Sequence, residues 1–127
     1  MLGDVACMAL AIYFEARSED YIGKVFVAET IMNRVESKRY KNNVCDVVLQ
    51  YKQFSFLNNV YDKKEALVIS DKKAWDDAVK FAFPYIYSTP DVHDSCHYAT
   101  HNVKNKWTKA YELSIQIGAH SFYKGGC

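Results

Sequence analysis

Apolar residues recur at Val5, Met8, Ala9, Ile12, Tyr13 and Ala16, the i, i+3, i+4, i+7, i+8, i+11 steps that a helix lines up on one side. One acidic residue sits among them. Glu15 has Ile12, Ala11 and Met8 at i−3, i−4 and i−7, so its neighbours on the helix surface are greasy. The helix is predicted to run from Asp4, as N-cap, to Arg17 and to stop at the polar break Ser18-Glu19-Asp20. An apolar surround and the negative end of the helix dipole both disfavour a carboxylate and raise its pKa. An acid still protonated near neutral pH is what acid-catalysed bond cleavage requires. The plain alternative is a helix-end glutamate turned to water and paired with Arg17.

Ile22, Val25, Ala28, Met32 and Val35 mark a second helix that ends before Ser37-Lys38-Arg39. Two helices joined by so short a turn pack as neighbours, which buries one side of Glu15. Val44, Val47, Val48 and Leu49 read as a short third helix, and Tyr51 to Leu57 alternates as a short strand or an extended loop. A further helix starts near Asp71, capped by Ser70 or Asp71, with Ala74, Trp75, Ala78, Val79, Ala82 and Ile86 on one face. Pro84 is expected to bend or fray its last turn. Past Pro90 come short pieces at residues 96–100, 110–117 and 120–123, the strands of a small antiparallel sheet. Phe122 and Tyr123 alternate there, so only one is expected to face inward. The predicted fold class is α+β, with N-terminal helices packed on a small C-terminal antiparallel sheet, in a single domain over residues 1–127.

Ten Tyr and seven Phe against two Pro describe a packed globule with rings to line a groove. A net charge of +1 leaves no footprint for nucleic acid. The start Met1-Leu2-Gly3-Asp4 lacks a secretory signal pattern, and no apolar run approaches the ~18 residues of a membrane span. Synthesis in the cytoplasm as a monomer without stable membrane insertion is therefore expected. Cys7, Cys45, Cys96 and Cys127 have no C-x-x-C spacing, so free thiols are the default; any pairing is left open among three connectivities. His93, Cys96, His97 and His101, with Asp94, form a cluster that offers a zinc reading. Strand alternation puts His97 and His101 on one face and Cys96 on the other, so no metal and no cofactor is expected.

Four stretches, in order, resemble the SleB/CwlJ-type cell wall hydrolases, which include spore-cortex-lytic enzymes and related phage and bacterial hydrolases. They are Ala9 to Glu19 around Tyr13-Phe14-Glu15-Ala16-Arg17; Gly23 to Ala28 leading to Met32-Asn33-Arg34-Val35; Gln53-Phe54-Ser55; and His97-Tyr98 with Trp107, followed by Ile117-Gly118-Ala119-His120-Ser121-Phe122-Tyr123. Phe14 and Ser18 stand where the family's opening block carries glycine, Glu29 stands where a small apolar residue is usual, and the family's Pro before its Trp is missing. The resemblance implies a lysozyme- or transglycosylase-like groove and cleavage of peptidoglycan glycan strands between N-acetylmuramic acid and N-acetylglucosamine, with Glu15 as the acid.

Most glycosidases use two carboxyl groups. A lytic transglycosylase manages with one, because the sugar's own C6 hydroxyl attacks and leaves a 1,6-anhydro end. Candidates for a second carboxylate, as in a muramidase, are Glu19 and Glu29. Glu19, about 6 Å from Glu15 if helical, would raise its pKa by repulsion; the plain reading of both is a solvated helix or turn charge. Gln53 and Ser55 are candidate hydrogen bonders to substrate, and Phe54, Tyr98 and Trp107 candidate aromatic walls. A zinc amidase and a non-catalytic glycan-binding module are the rival readings. Without a signal, such an enzyme would reach the wall after release, as a phage endolysin does.

Overall fold

The stripe that begins at Val5 becomes a helix buried on far more than one face. The computed structural model describes residues 3–17, 19–50, 54–87, 95–100, 108–109, 111–117 and 120–124. In it α1 spans Asp4–Ala16 and buries Cys7 through Tyr13 without interruption, and then Ala16. A helix apolar all round belongs at the centre of a fold, and α1 packs against α2 (Tyr21–Glu36), α3 (Val44–Val48) and α5 (Lys72–Tyr87). Its N-cap is Gly3, with Asp4 inside the first turn.

The joints follow local chemistry. Asp20 caps α2, its Oδ1 accepting from the Gly23 N–H at 3.0 Å, and Asn43 caps α3 by accepting from the Asp46 N–H at 2.9 Å. Asp71 caps α5 through the Ala74 N–H at 3.0 Å. The Asp71 N–H in turn donates to the buried Tyr13 hydroxyl at 3.1 Å, pinning the start of α5 to α1. Pro84 lies inside α5, which continues past it to Tyr87. Ile22 is 49% exposed, so the buried face of α2 begins at Gly23 and Val25 rather than at Ile22.

Phe54 is extended, but a 3-10 turn at Ser55–Leu57 and the short helix α4 (Asn58–Lys63) follow it in place of a strand. β1 (Ser95–Thr100), β2 (Leu113–Ile117) and β3 (His120–Lys124) form an antiparallel sheet in the order β1-β3-β2. Tyr98 pairs with Phe122 and His97 with Tyr123. Phe122 and Tyr123 are both buried, at 0% and 8% exposure, because β3 is the middle strand and both of its faces are covered. Of the two, Phe122 is the one that joins the core packed on α1 and α2, so the alternation holds although the opposite face is covered as well.

The cysteines depart from the free-thiol expectation as well. Cys7 of α1 is bonded to Cys45 of α3 across a Cα–Cα distance of 5.1 Å, and Cys96 is disulfide-bonded too. The Cys7–Cys45 link closes a loop over a sequence separation of 38. Loop-closure entropy for that length is worth about 3–4 kcal/mol. Denaturant unfolding of a Cys7→Ser/Cys45→Ser double variant is expected to show a loss of about that size. An unchanged midpoint would mean the link adds nothing to the packing of α1 on α3.

Candidate active site

Glu15 lies in the last turn of α1, half-buried above Ile12, Ala11 and Met8, each exposed by 1% or less. Arg17 does not pair with it. The Arg17 Nη1 donates to the Tyr13 hydroxyl at 2.6 Å, with its guanidinium 4.4 Å from that ring's centre. The partner of Glu15 comes from the sheet: the Tyr98 hydroxyl donates to Glu15 Oε1 at 3.2 Å. Burial pushes the Glu15 pKa up, against smaller downward pulls from the Tyr98 hydrogen bond and the Arg34 charge, and the balance is upward. Burial also holds the Tyr98 phenol well above its ordinary value, so Tyr98 remains a donor at any working pH.

Arg34, 5% exposed on α2, forms the floor of this arrangement. Its Nε donates to the Cys96 carbonyl at 2.7 Å, and its guanidinium sits 5.1 Å from the Tyr40 ring centre and 5.3 Å from that of Phe54. Phe54 is therefore a support, buried at 2% exposure, and not the groove wall expected of it. Ser55 is exposed at the start of the 3-10 turn. Gln53 and Trp107 lie outside the described residues. The structure adds a pair that sequence reasoning missed. Phe14 stacks on Phe56 with ring centres 4.9 Å apart and planes within 10°, immediately beside Glu15 in the chain. The ring at position 14, where the related block carries glycine, was the available signal.

Neither candidate second carboxylate is exposed to solvent. Glu19 Oε1 lies 3.3 Å from His120 Nδ1, with both side chains 9% exposed. Gly23 makes room for it, since a Cβ there would stand 2.8 Å from the Glu19 Cβ. Glu19 follows the end of α1 and faces His120; the groups that shift the Glu15 pKa are Tyr98 and Arg34. Glu29 is 1% exposed inside α2, which overturns its reading as a solvated surface charge. Residues 25–31 of α2 are buried without interruption, so the middle of this helix has no solvent side on which Glu29 could lie.

The zinc reading loses its thiolate, because Cys96 is disulfide-bonded. The His97 Nε2 is 3.2 Å from the Tyr40 hydroxyl. His93, Asp94 and His101 lie outside the described residues, and among the described residues no cluster of metal-ligating side chains occurs. A cavity of about 50 Å³ between α1, α2 and α5, lined by Tyr13, Arg17, Lys24 and Asp77 among others, does not include Glu15.

A family described as cell wall hydrolase matches residues 18–123 of the chain. Glu15 lies just ahead of that span, so the match does not include it. The chain is 29% identical over 127 residues to the spore cortex-lytic enzymes of Bacillus cereus and Oceanobacillus iheyensis, covering 95% of itself and 44% and 41% of those proteins. It thus spans less than half the length of these curated relatives. Among solved structures it resembles the catalytic domain of the germination-specific lytic transglycosylase SleB from Bacillus anthracis, with a TM-score of 0.70 and 30% identity over 95% of this chain and 93% of that one. The catalytic domain of the Bacillus cereus SleB protein gives a TM-score of 0.66 and 31% identity over 95% and 89%.

A carboxyl whose pKa is raised on folding keeps its proton over a pH window in which the unfolded chain has lost it. The native state binds more protons there, so stability is full below the ordinary carboxyl range and falls as pH rises through the raised value. Glu15→Gln cannot ionise and escapes that loss. Thermal melts from acid to mildly alkaline pH should show the variant gaining on the wild type across this window. Tyr98→Phe, lacking the donor that favours the carboxylate, should move the wild-type decline to higher pH. A pH-independent difference between Glu15→Gln and wild type would mean that Glu15 is not desolvated.

Proposed function

The chain belongs to the cell wall hydrolase family, and on that premise we propose that it cleaves peptidoglycan glycan strands between N-acetylmuramic acid and N-acetylglucosamine as a lytic transglycosylase. Glu15 is the one catalytic carboxyl. Its proton passes to the glycosidic oxygen as the bond from that oxygen to C1 breaks, with the bonding electrons leaving on the oxygen. The muramic acid ring is left with cationic character at C1. The C6 hydroxyl of the same ring then attacks C1 and gives its proton to the Glu15 carboxylate, which closes a 1,6-anhydro ring and restores the acid.

The observation that carries this reading is the contrast among three glutamates. Glu15 is half-buried, its pKa is raised, and Tyr98 holds one of its oxygens. Glu19 is engaged with His120, and Glu29 is sealed in the core. A water-using glycosidase needs a second carboxyl about 5–9 Å across the bond, and neither of these is offered to a substrate at Glu15. Tyr98 orients the acid by occupying Oε1, so the other oxygen is left to carry the proton. Phe14, which stacks on Phe56 and precedes Glu15 in the chain, and the exposed Ser55 beside Phe56 are assigned to the sugar-binding surface. Gln53 and Trp107 retain that assignment from the motif resemblance alone.

The working location fits the same picture. Among the described residues no helix is long and apolar enough to cross a membrane. Disulfides form and persist in oxidising spaces, so those at Cys7, Cys45 and Cys96 favour action outside a reducing cytoplasm, on the wall itself.

Mass spectrometry of muropeptides after digestion of purified peptidoglycan tests the reaction. Transglycosylase action leaves 1,6-anhydro ends, lighter than reduced muramic ends by one water and the two hydrogens of reduction. Reducing ends would replace this reading by a muramidase one. Glu15→Gln should lower turnover by about 10²–10⁴-fold, as expected for loss of a general acid, while Glu29→Gln should change stability more than chemistry. Activity that survives Glu15→Gln but is lost to a chelator would point to an amidase instead. Binding to peptidoglycan without degradation by the wild type would mark a binding module.

A further inference from the structure

Tyr98 holds the acid, and something has to hold Tyr98. Its hydroxyl donates to Glu15 Oε1 at 3.2 Å, longer than the ~2.7–2.8 Å usual for an O–H···O bond, so that bond alone fixes the phenol weakly. Two side chains of β3 grip the ring. Phe122, its register partner, lies 5.4 Å away between ring centres, and the His120 ring meets it edge-on at 5.0 Å with planes 80° apart. Residues 120 and 122 lie on one face of the strand, so both rings and Tyr98 share one side of the sheet. Phe122 is anchored in the core through Phe26, at 5.3 Å. His120 is anchored by Glu19, whose Oε1 lies 3.3 Å from Nδ1 with both side chains 9% exposed.

The last of these contacts returns to where the first began. The Glu19 N–H donates to the Ala16 carbonyl at 3.0 Å in the turn that closes α1, four residues after Glu15. Glu15, Tyr98, His120 and Glu19 thus form a closed circuit of contacts whose two ends stand on the same helix end. A carboxyl and an imidazole paired out of water cost desolvation and add little to stability, so their place behind a catalytic group calls for another reason.

We propose that Glu19 and His120 are positioning residues: Glu19 fixes the imidazole, the imidazole keeps the Tyr98 ring from turning, and the Tyr98 hydroxyl stays on Glu15 Oε1. This rests on the reading of Glu15 as the acid. Neither residue touches the reacting atoms; each acts through Tyr98. Such support matters because a displacement of about 1 Å at a reacting group costs much of the rate. Other charged and titratable groups nearby have different partners. Arg34 of α2 donates to the Cys96 carbonyl while its charge reaches Glu15 and Tyr98, Arg17 donates to the Tyr13 hydroxyl, and His97 of β1 contacts Tyr40 and Tyr111.

The test compares the pH dependence of kcat and KM on purified peptidoglycan for wild type, Glu19→Met, Glu19→Gln and His120→Leu, each also in a Tyr98→Phe background, with thermal melts to establish folding. Glu19→Met keeps the volume but drops the polar contact to His120, and should lower kcat about ten-fold or more with little change in KM. Its alkaline limb should move up, as in Tyr98→Phe, because the hydrogen bond that favours the Glu15 carboxylate has loosened. Glu19→Gln keeps a polar oxygen towards Nδ1 and should lie nearer wild type. His120→Leu should repeat the Glu19→Met result, and it carries the test if Glu19→Met does not fold. In the Tyr98→Phe background none of the three should move the limb further. The proposal is overturned by an unmoved limb in a folded Glu19→Met or His120→Leu, by a downward move in Glu19→Met, the sign of a lost negative charge near the acid, or by equal shifts with and without the Tyr98 hydroxyl. Glu15→Gln is run alongside: if it stays active, the reading of Glu15 as the acid has failed and this proposal with it, whereas an inactive Glu15→Gln beside any of those three results sinks only the roles of Glu19 and His120.

Discussion

A carboxyl group at the end of a helix that is buried along nearly its whole length would be a defect unless the rest of the fold were arranged around it. Glu15 is that group, and side chains of two distant elements make it tolerable, one by contact and one by charge. Tyr98 comes from β1 and Arg34 from α2, and each supplies part of what water would have supplied. The sheet reaches the helices through this contact and through Phe122, whose ring lies 5.4 Å from Tyr98 and 5.3 Å from Phe26 of α2. Arg34 completes the joint from below by holding the β1 backbone at Cys96. Site and fold therefore share their parts, and residues that position the acid also fasten the two layers.

Much of this was legible in the sequence, and the rest failed for identifiable reasons. The period of residues 5–16, the polar break after α1, the Asp71 cap and the alternation of the last strands all reflect local rules, and the structure follows them. The apolar face beneath Glu15 was readable for the same reason. Whether a charge on an amphipathic helix faces water depends on what packs against that side, and no local period reports it. The plain reading of Glu29 as solvated was overturned on that account. Phe54 looked like a groove ring because a lone aromatic gives no sign of whether an arginine will lie across it. The Cys7–Cys45 link needs two Cα atoms brought within 5.1 Å by packing of α1 on α3, which spacing alone does not show. The Tyr98 contact to Glu15 crosses 83 positions of sequence, so only the resemblance to a family could suggest it.

Under the proposed reaction one carboxyl acts first as acid and then as base, which sets opposing demands on its pKa. Full burial without partners would keep the proton from leaving, and full exposure would lose it before substrate arrives. Half-burial with one neutral donor and one nearby cation lies between those extremes, with burial as the larger effect. Membership in the cell wall hydrolase family and likeness to a solved lytic transglycosylase domain agree with that chemistry. The engagement of Glu19 with His120 and the burial of Glu29 agree with it too.

The central claim is that Glu15 enters the reaction as a protonated acid because the fold desolvates it. Carbon-13 NMR titration of the side-chain carboxyls, with the Glu15 signal assigned by its absence from Glu15→Gln, measures this directly. A midpoint above the ordinary glutamate range that rises further in Tyr98→Phe is expected. A midpoint at or below the ordinary range would contradict it.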